Sequence, residues 1–157
     1  MISIIAAIGK NWELGRKGNL IFHIKEDMKY FKEMTLGHKV VMGRKTWESL
    51  PGKLSGRENI VISRGEVVGA DQVIHDLDEF LLDNVDTGEE VFVIGGGEIY
   101  KEALPYAQDI YLTEVNVEVE DADTYFPEFD RSGYKKEIIK EGQENDLVYT
   151  FVKYSKN

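Results

Sequence analysis

Cysteine is absent from all 157 residues. Disulfides and cysteine-ligated zinc are therefore excluded, and a reducing cytoplasm suits the chain better than secretion. Long hydrophobic runs are missing too. The N-terminal apolar stretch, Ile2 to Ile8, falls far short of the roughly 20 residues that a membrane-crossing helix needs. With no basic region before it, it also lacks signal-peptide form. Positive charge is scarce: 19 Lys and Arg stand against 29 Asp and Glu, for a net charge of −10. General nucleic-acid binding needs a basic surface, so that class is set aside and the acidity is read as solubility. A small anionic ligand needs only a local basic pocket and stays compatible. There is no internal repeat, no Gly-x-Ser-x-Gly elbow and no P-loop signature. His23, His38 and His75 form no zinc-ligand pattern with carboxylates, so they are read as structural or surface residues and no metal is expected.

What is present describes one domain of ordinary globular composition, 42% hydrophobic and 31% charged. Ile2 to Ile8 is β-branched and continuous, the pattern of a central parallel strand. Gly9 to Phe22, punctuated by Gly9, Gly15 and Gly18, is a long connection of the kind that serves as a lid. Lys25 to Thr35 predicts a helix. Strands follow at Lys39–Gly43 and Asn59–Ser63, with a short edge strand between Asp71 and His75. Another strand spans Glu90–Ile94, and the next Ile110–Val117. Short helices start at Arg44 and Leu77, and one after Gly97, with Pro51 and Pro105 as stops. Tyr134–Glu141 and Leu147–Tyr154 read as a closing antiparallel pair. Strands alternating with helices imply an α/β fold with a largely parallel sheet.

Two features carry chemistry. In the Lys25–Thr35 helix, Asp27, Tyr30, Phe31 and Met34 share one face, which places a carboxylate on an apolar stripe. Burial disfavours its ionised form, so it either finds a structural partner or carries a raised pKa suited to acid–base work. The second feature is a set of strand ends. Gly43-Arg44-Lys45-Thr46 and Gly95-Gly96-Gly97-Glu98 each pass from strand to helix, and Ser63-Arg64 closes a third strand. Ligands of open α/β sheets bind outside such ends, where helix N-termini, hydroxyls and basic side chains meet phosphate. The glycines do not make the dinucleotide fingerprint, because Tyr100 stands where a third glycine is required. Each end alone is equally a tight turn or a solvated helix start; together they favour an NADP-type cofactor.

These residues bring a known family into view. From Met1 to about Tyr154 the sequence resembles dihydrofolate reductase of the bacterial chromosomal type. The resemblance is carried by Ile2-Ser-Ile-Ile-Ala-Ala, by Asp27 with Phe31-Lys32, and by Val41-Met-Gly-Arg44-x-Thr46-Trp47-Glu48-Ser49. Gly56-Arg57-x-Asn59, Val93-Ile-Gly-Gly-Gly97-x-Ile-Tyr100, Tyr111-Leu-Thr113 and Thr124-x-Phe-Pro127 follow in family order. It implies a single domain over 1–157 with a mostly parallel eight-stranded sheet, flanking helices, a C-terminal antiparallel hairpin and an adenosine-binding lobe at roughly 38–105. It also implies NADPH-dependent reduction of dihydrofolate, with hydride to C6 and a proton to N5, in a cytoplasmic and monomeric protein.

Carried over by position, Asp27 would pair with the pterin amino and N3 side, with Thr113 as its hydroxyl partner. Ile5, Met28, Phe31, Leu50, Leu54 and Ile94 would form apolar walls, with Lys32 beside them. Arg57 would hold the α-carboxylate of the glutamate tail. The nicotinamide would lie near Ala7 and the lid residues Leu14, Gly15, Asn19 and Leu20. The rest of the cofactor would meet Gly43, Arg44, Lys45, Thr46, Ser63 and Arg64, and the run Gly95, Gly96, Gly97, Glu98, Ile99 and Tyr100. A cis peptide is expected between Gly95 and Gly96. Three departures stand out. Phe22 replaces a tryptophan whose N–H helps hold a water, Ile21 and Lys25 replace prolines, and Gly52 replaces an arginine found in some members. Two other readings are a non-catalytic nucleotide-binding module and a same-fold reductase of a riboflavin precursor. Asp27, Phe31 and Arg57 together argue for a folate-like substrate.

Overall fold

In the computed structural model, residues 1–17 and 19–157 are described, Asn19 and Leu20 by backbone alone. An eight-stranded sheet forms the frame. Its strands are β1 (Ile2–Ile8), β4 (Lys39–Gly43), β5 (Glu58–Ile62), β6 (Gln72–Ile74), β7 (Val91–Gly95), β8 (Ala107–Val115), β10 (Tyr134–Glu144) and β11 (Leu147–Lys156), in the spatial order β10-β11-β8-β1-β7-β4-β5-β6. Every pairing from β8 through β6 is parallel, and only β11 on β8 and β10 on β11 are antiparallel. The sheet is the one expected from the sequence.

β1 sits in the middle because it can be buried on both faces. Ile2, Ile4 and Ile8 enter one apolar cluster with Val41, Val93 and Leu112, while Ile5 enters another with Val40, Phe92 and Tyr111. Alternate side chains of one strand thus serve two cores, which is why the run reads as uninterrupted hydrophobicity. Four helices cover the sheet: α1 (Lys25–Thr35), α2 (Arg44–Ser49), α3 (Leu77–Asn84) and α4 (Gly97–Ala103). Asp76 caps α3 by accepting from the Glu79 N–H at 3.0 Å. No side chain of the N-cap residue Ile24 caps α1.

The Gly9–Phe22 connection departs from the sequence reading. It contains two short strands, β2 (Glu13–Arg16) and β3 (Asn19–Leu20), and β2 pairs antiparallel with both β3 and β9 (Thr124–Tyr125). Strands this short show no periodicity, and β9 lies over a hundred residues downstream of β2. Local pattern could not reveal them.

Candidate active site

Asp27 lies in the first turn of α1, and its Oδ1 accepts a 2.6 Å hydrogen bond from Thr113 Oγ1. Thr113 is buried in β8, in register with Ala7 of β1 on one side and Phe151 of β11 on the other. Burial pushes the Asp27 carboxyl above its ordinary value, and the Thr113 hydrogen bond pulls the other way without cancelling it. The helix face around Asp27 is half-buried: Tyr30, Phe31 and Met34 are partly exposed, and Thr35 alone is fully buried. Tyr30, Phe31 and Met34 of that face pack on the cluster around Ile5, Val40 and Phe92. Phe31 joins Ile5, Leu50, Leu54 and Ile94 in a single apolar cluster. Met28, by contrast, is 59% exposed and stands outside that cluster, and Lys32 is exposed as well.

At the other end of α1, Thr35 Oγ1 donates to Phe31 O at 2.7 Å and accepts from Arg57 Nη1 at 3.1 Å. Eight helical residues separate Asp27 from Thr35, about 12 Å along the axis. The loop bearing Leu54 and Arg57 is braced by Asn59. Its side-chain amide bonds both the N–H and the carbonyl of Leu54 and the carbonyl of Arg57. A carboxylate at one end of α1 and a guanidinium at the other suit an elongated ligand with a polar ring and an anionic tail.

Across the sheet, the ends of β4 and β7 come together. The Gly95–Gly96 peptide is cis and Gly95 has φ +145°. A Cβ on Gly95 would lie 3.0 Å from Thr46 Oγ1, and one on Gly43 would lie 3.1 Å from Ile99 Cγ1. The junction of the two strand ends is tight, and a side chain at Gly43 or Gly95 would crowd these neighbours. Beneath it the buried Tyr100 donates to Ile5 O at 2.9 Å, and burial raises the pKa of its phenol. Beyond Gly43 a cavity of about 460 Å³ is lined by Arg44, Ser63, Arg64, His75 and Ile99, together with Asp76 and Glu102. Burial and the nearby Asp78, Asp76 and Glu98 raise the Glu102 pKa. His75 Nδ1 lies 2.6 Å from the Ser63 carbonyl oxygen. That oxygen can only accept, so Nδ1 carries the proton. Lys45 is exposed on α2 and does not line this cavity.

The lid root is fixed by a buried acid. Glu13, 1% exposed, accepts from the Asn11 N–H with Oε1 and from the Val119 N–H with Oε2, both at 2.6 Å. Its own carbonyl accepts from Gly9 N–H at 3.1 Å. Nearby, the Arg131 guanidinium lies 4.2 Å over the Trp12 ring. Further along, Lys17 N–H donates to Asp123 Oδ2 at 2.8 Å, and Arg16 pairs with Asp121.

Residues 1–156 match the family model described as dihydrofolate reductase. The chain belongs to the dihydrofolate reductase family. The dihydrofolate reductase of Neisseria gonorrhoeae is 43% identical over 159 residues, covering 98% of this chain and 96% of its own. That of Bacillus subtilis strain 168 is 39% identical over 162 residues, covering 99% and 95%. The solved structure of the Enterococcus faecalis dihydrofolate reductase, complexed with NADP(H) and RAB-propyl, superposes with a TM-score of 0.89 at 28% identity. It covers 100% of this chain and 96% of that one.

Set beside that dihydrofolate reductase membership, the sequence-predicted residues fall into three spatial groups. Asp27 pairs with Thr113, Ile5, Phe31, Leu50, Leu54 and Ile94 share one apolar cluster that leaves out Met28, and Arg57 bonds the far end of the same helix at Thr35. Gly43, Thr46, Gly95 and Gly96 meet where β4 and β7 end, while Arg44, Ser63, Arg64 and Ile99 line the adjoining cavity. Leu14 turns into the main core, and Ala7 joins the cluster around Phe22. The side chains of Asn19 and Leu20, and all of Gly18, lie outside the described residues. Phe22 is buried among Ile24, Val115, Tyr149 and Phe151, an apolar setting that needs no donor. Sequence reasoning missed His75, Glu13, Thr35 and Asn59 as site-shaping residues. Each acts through a partner distant in sequence or through a backbone atom, and neither leaves a local signal.

Proposed function

We propose that this protein reduces 7,8-dihydrofolate to 5,6,7,8-tetrahydrofolate with NADPH. The observation that carries the reading is the Asp27–Thr113 pair, a raised-pKa carboxylate on the helix that carries Phe31 into the apolar cluster, with Arg57 bonded to the far end of the same helix. The cofactor fits the residues present: side-chain-free backbone at Gly43, Gly95 and Gly96, and Arg44 and Arg64 lining the cavity of about 460 Å³. Thr46 and Ser63 add hydroxyls, and Lys45, Gly97, Glu98, Ile99 and Tyr100 complete the cofactor side of the cleft. The lobe from about 38 to 105 holds the adenosine end. When bound, NADPH supplies a hydride for C6 of the dihydropterin.

The protein's own work is positioning and protonation. Asp27 receives the amino and N3 edge of the pterin, an edge that offers donors to a carboxylate. Burial, which raises its pKa, makes it a better proton source than an exposed carboxyl, which favours delivery of a proton toward N5. Ile5, Phe31, Leu50, Leu54 and Ile94 exclude water and align the ring, Met28 and Lys32 flank the groove, and Arg57 receives the α-carboxylate of the tail. The loop that begins at Leu14 borders the nicotinamide. The chain works as a cytoplasmic monomer without nucleic-acid partners.

The test is loss of NADPH absorbance with dihydrofolate, repeated with NADH. Turnover that prefers NADPH is expected. A protein that neither binds NADPH nor turns over dihydrofolate would overturn the reading.

A further inference from the structure

Asp27 sits on a helix whose first turn lacks a cap of its own. The N-cap residue Ile24 offers no side-chain acceptor. The vacant role is filled from the far end of the chain. Glu144, where β10 ends, accepts the Lys25 backbone N–H with Oε1 at 3.1 Å. The next residue, Glu26, is held twice: Tyr149 OH on β11 donates to its Oε1 at 2.7 Å, and Lys140 on β10 pairs with its Oε2. The close approach depends on Gly142. A Cβ there would lie 2.6 Å from Glu26 Oε1 and 2.5 Å from the Tyr149 ring. Further along the same strand, Phe151 packs on Tyr30 and is the register partner of Thr113. One hairpin therefore touches the residues before and after Asp27 and flanks its hydrogen-bond partner.

We propose that the β10–β11 hairpin positions Asp27, with Glu144 as the positioning residue that substitutes for a helix cap at Lys25. Lys25 occupies the first helical position, where proline is favoured because its missing N–H needs no acceptor. Ile24 has φ −88° and ψ 125°, a conformation that accommodates a following proline. A chain with proline at 25 fixes its helix entry by ring geometry. This chain has a free N–H there instead and fixes the entry through Glu144. The hairpin thereby belongs to the working site through the residues that flank Asp27.

The inference rests on the dihydrofolate reading, and the tests separate the two. In Glu144→Ala, kcat/KM for dihydrofolate falls roughly 3- to 10-fold, the range of one solvent-exposed hydrogen bond, while NADPH affinity stays at the wild-type value. Glu144→Gln, whose carbonyl still accepts, retains most of the activity. Lys25→Pro is active alone and suppresses the Glu144→Ala defect, because the donor that Glu144 served is gone. Amide exchange at Lys25 accelerates in Glu144→Ala, a readout independent of turnover. The proposal is overturned if Glu144→Ala leaves both kcat/KM and Lys25 exchange unchanged. It is equally overturned if Lys25→Pro is impaired alone or fails to suppress. A wild-type protein inactive on dihydrofolate would instead defeat the reaction assignment, and the exchange measurement would still decide the capping role.

Discussion

Asp27 concentrates the chemistry in one side chain, and its environment fixes the sign of two pH effects. In the unfolded chain its carboxyl titrates near the ordinary value of about 3.9; in the folded protein burial raises it. Between those two values the folded state binds the extra proton. The stabilisation this provides is complete at low pH and is lost as pH rises through the folded pKa. Asp27→Asn therefore gains stability relative to wild type as pH rises from about 4 through the folded pKa, measurable by denaturant unfolding at several pH values. The same substitution costs turnover at least about 100-fold at neutral pH and flattens the high-pH fall in kcat/KM. A residue on an apolar stripe was legible as an anomaly from the sequence. Its partner Thr113 was supplied by family likeness, since spacing alone does not join positions 86 residues apart.

At the scale of elements, the lid root is the feature with the largest structural stake. Glu13 ties β2 to the 117–119 segment through the Val119 N–H and holds its own turn through the Asn11 N–H, and Lys10 N–H adds a 2.9 Å bond to Val117 O. Glu13→Ala leaves both donors unsatisfied and destabilises the fold by about 2 kcal/mol. For a domain of this size the melting temperature drops by roughly 4–8 °C. Thermal unfolding checks it, with Glu13→Gln retaining one of the two bonds. The sequence located the main strands and helices within a few residues because their apolar periodicity is strong. It missed β2, β3 and β9, whose existence depends on pairing between segments far apart in the chain. Leu14 shows the same limit. Family likeness put it at the nicotinamide, and its side chain packs in the main core.

For the whole molecule, ligand binding and folding share one free energy. NADPH binds only the native chain, so at a hundredfold excess over its Kd it adds about 2.7 kcal/mol of stability. The melting temperature then rises by roughly 5–11 °C; NADH at equal concentration gives a smaller rise if Arg44 and Arg64 read the extra phosphate. A thermal shift titration of both cofactors tests this. The sheet order has a separate consequence at its margins. One outer strand, β6, is only three residues long. The other, β10, runs eleven residues with Ile138 and Ile139 on the surface, a length that invites a neighbouring molecule to add its own strand. Its pairing with β11 is broken by a bulge: Ile138 faces Val152 and Lys140 faces Phe151, so Ile139 has no opposite number. The extra residue, together with Lys135, Lys136 and Lys140, leaves a kinked, charged border on which a second sheet cannot register. Deleting Ile139 would straighten that border, and light scattering on warming would report fibrous self-association where the intact chain stays dispersed.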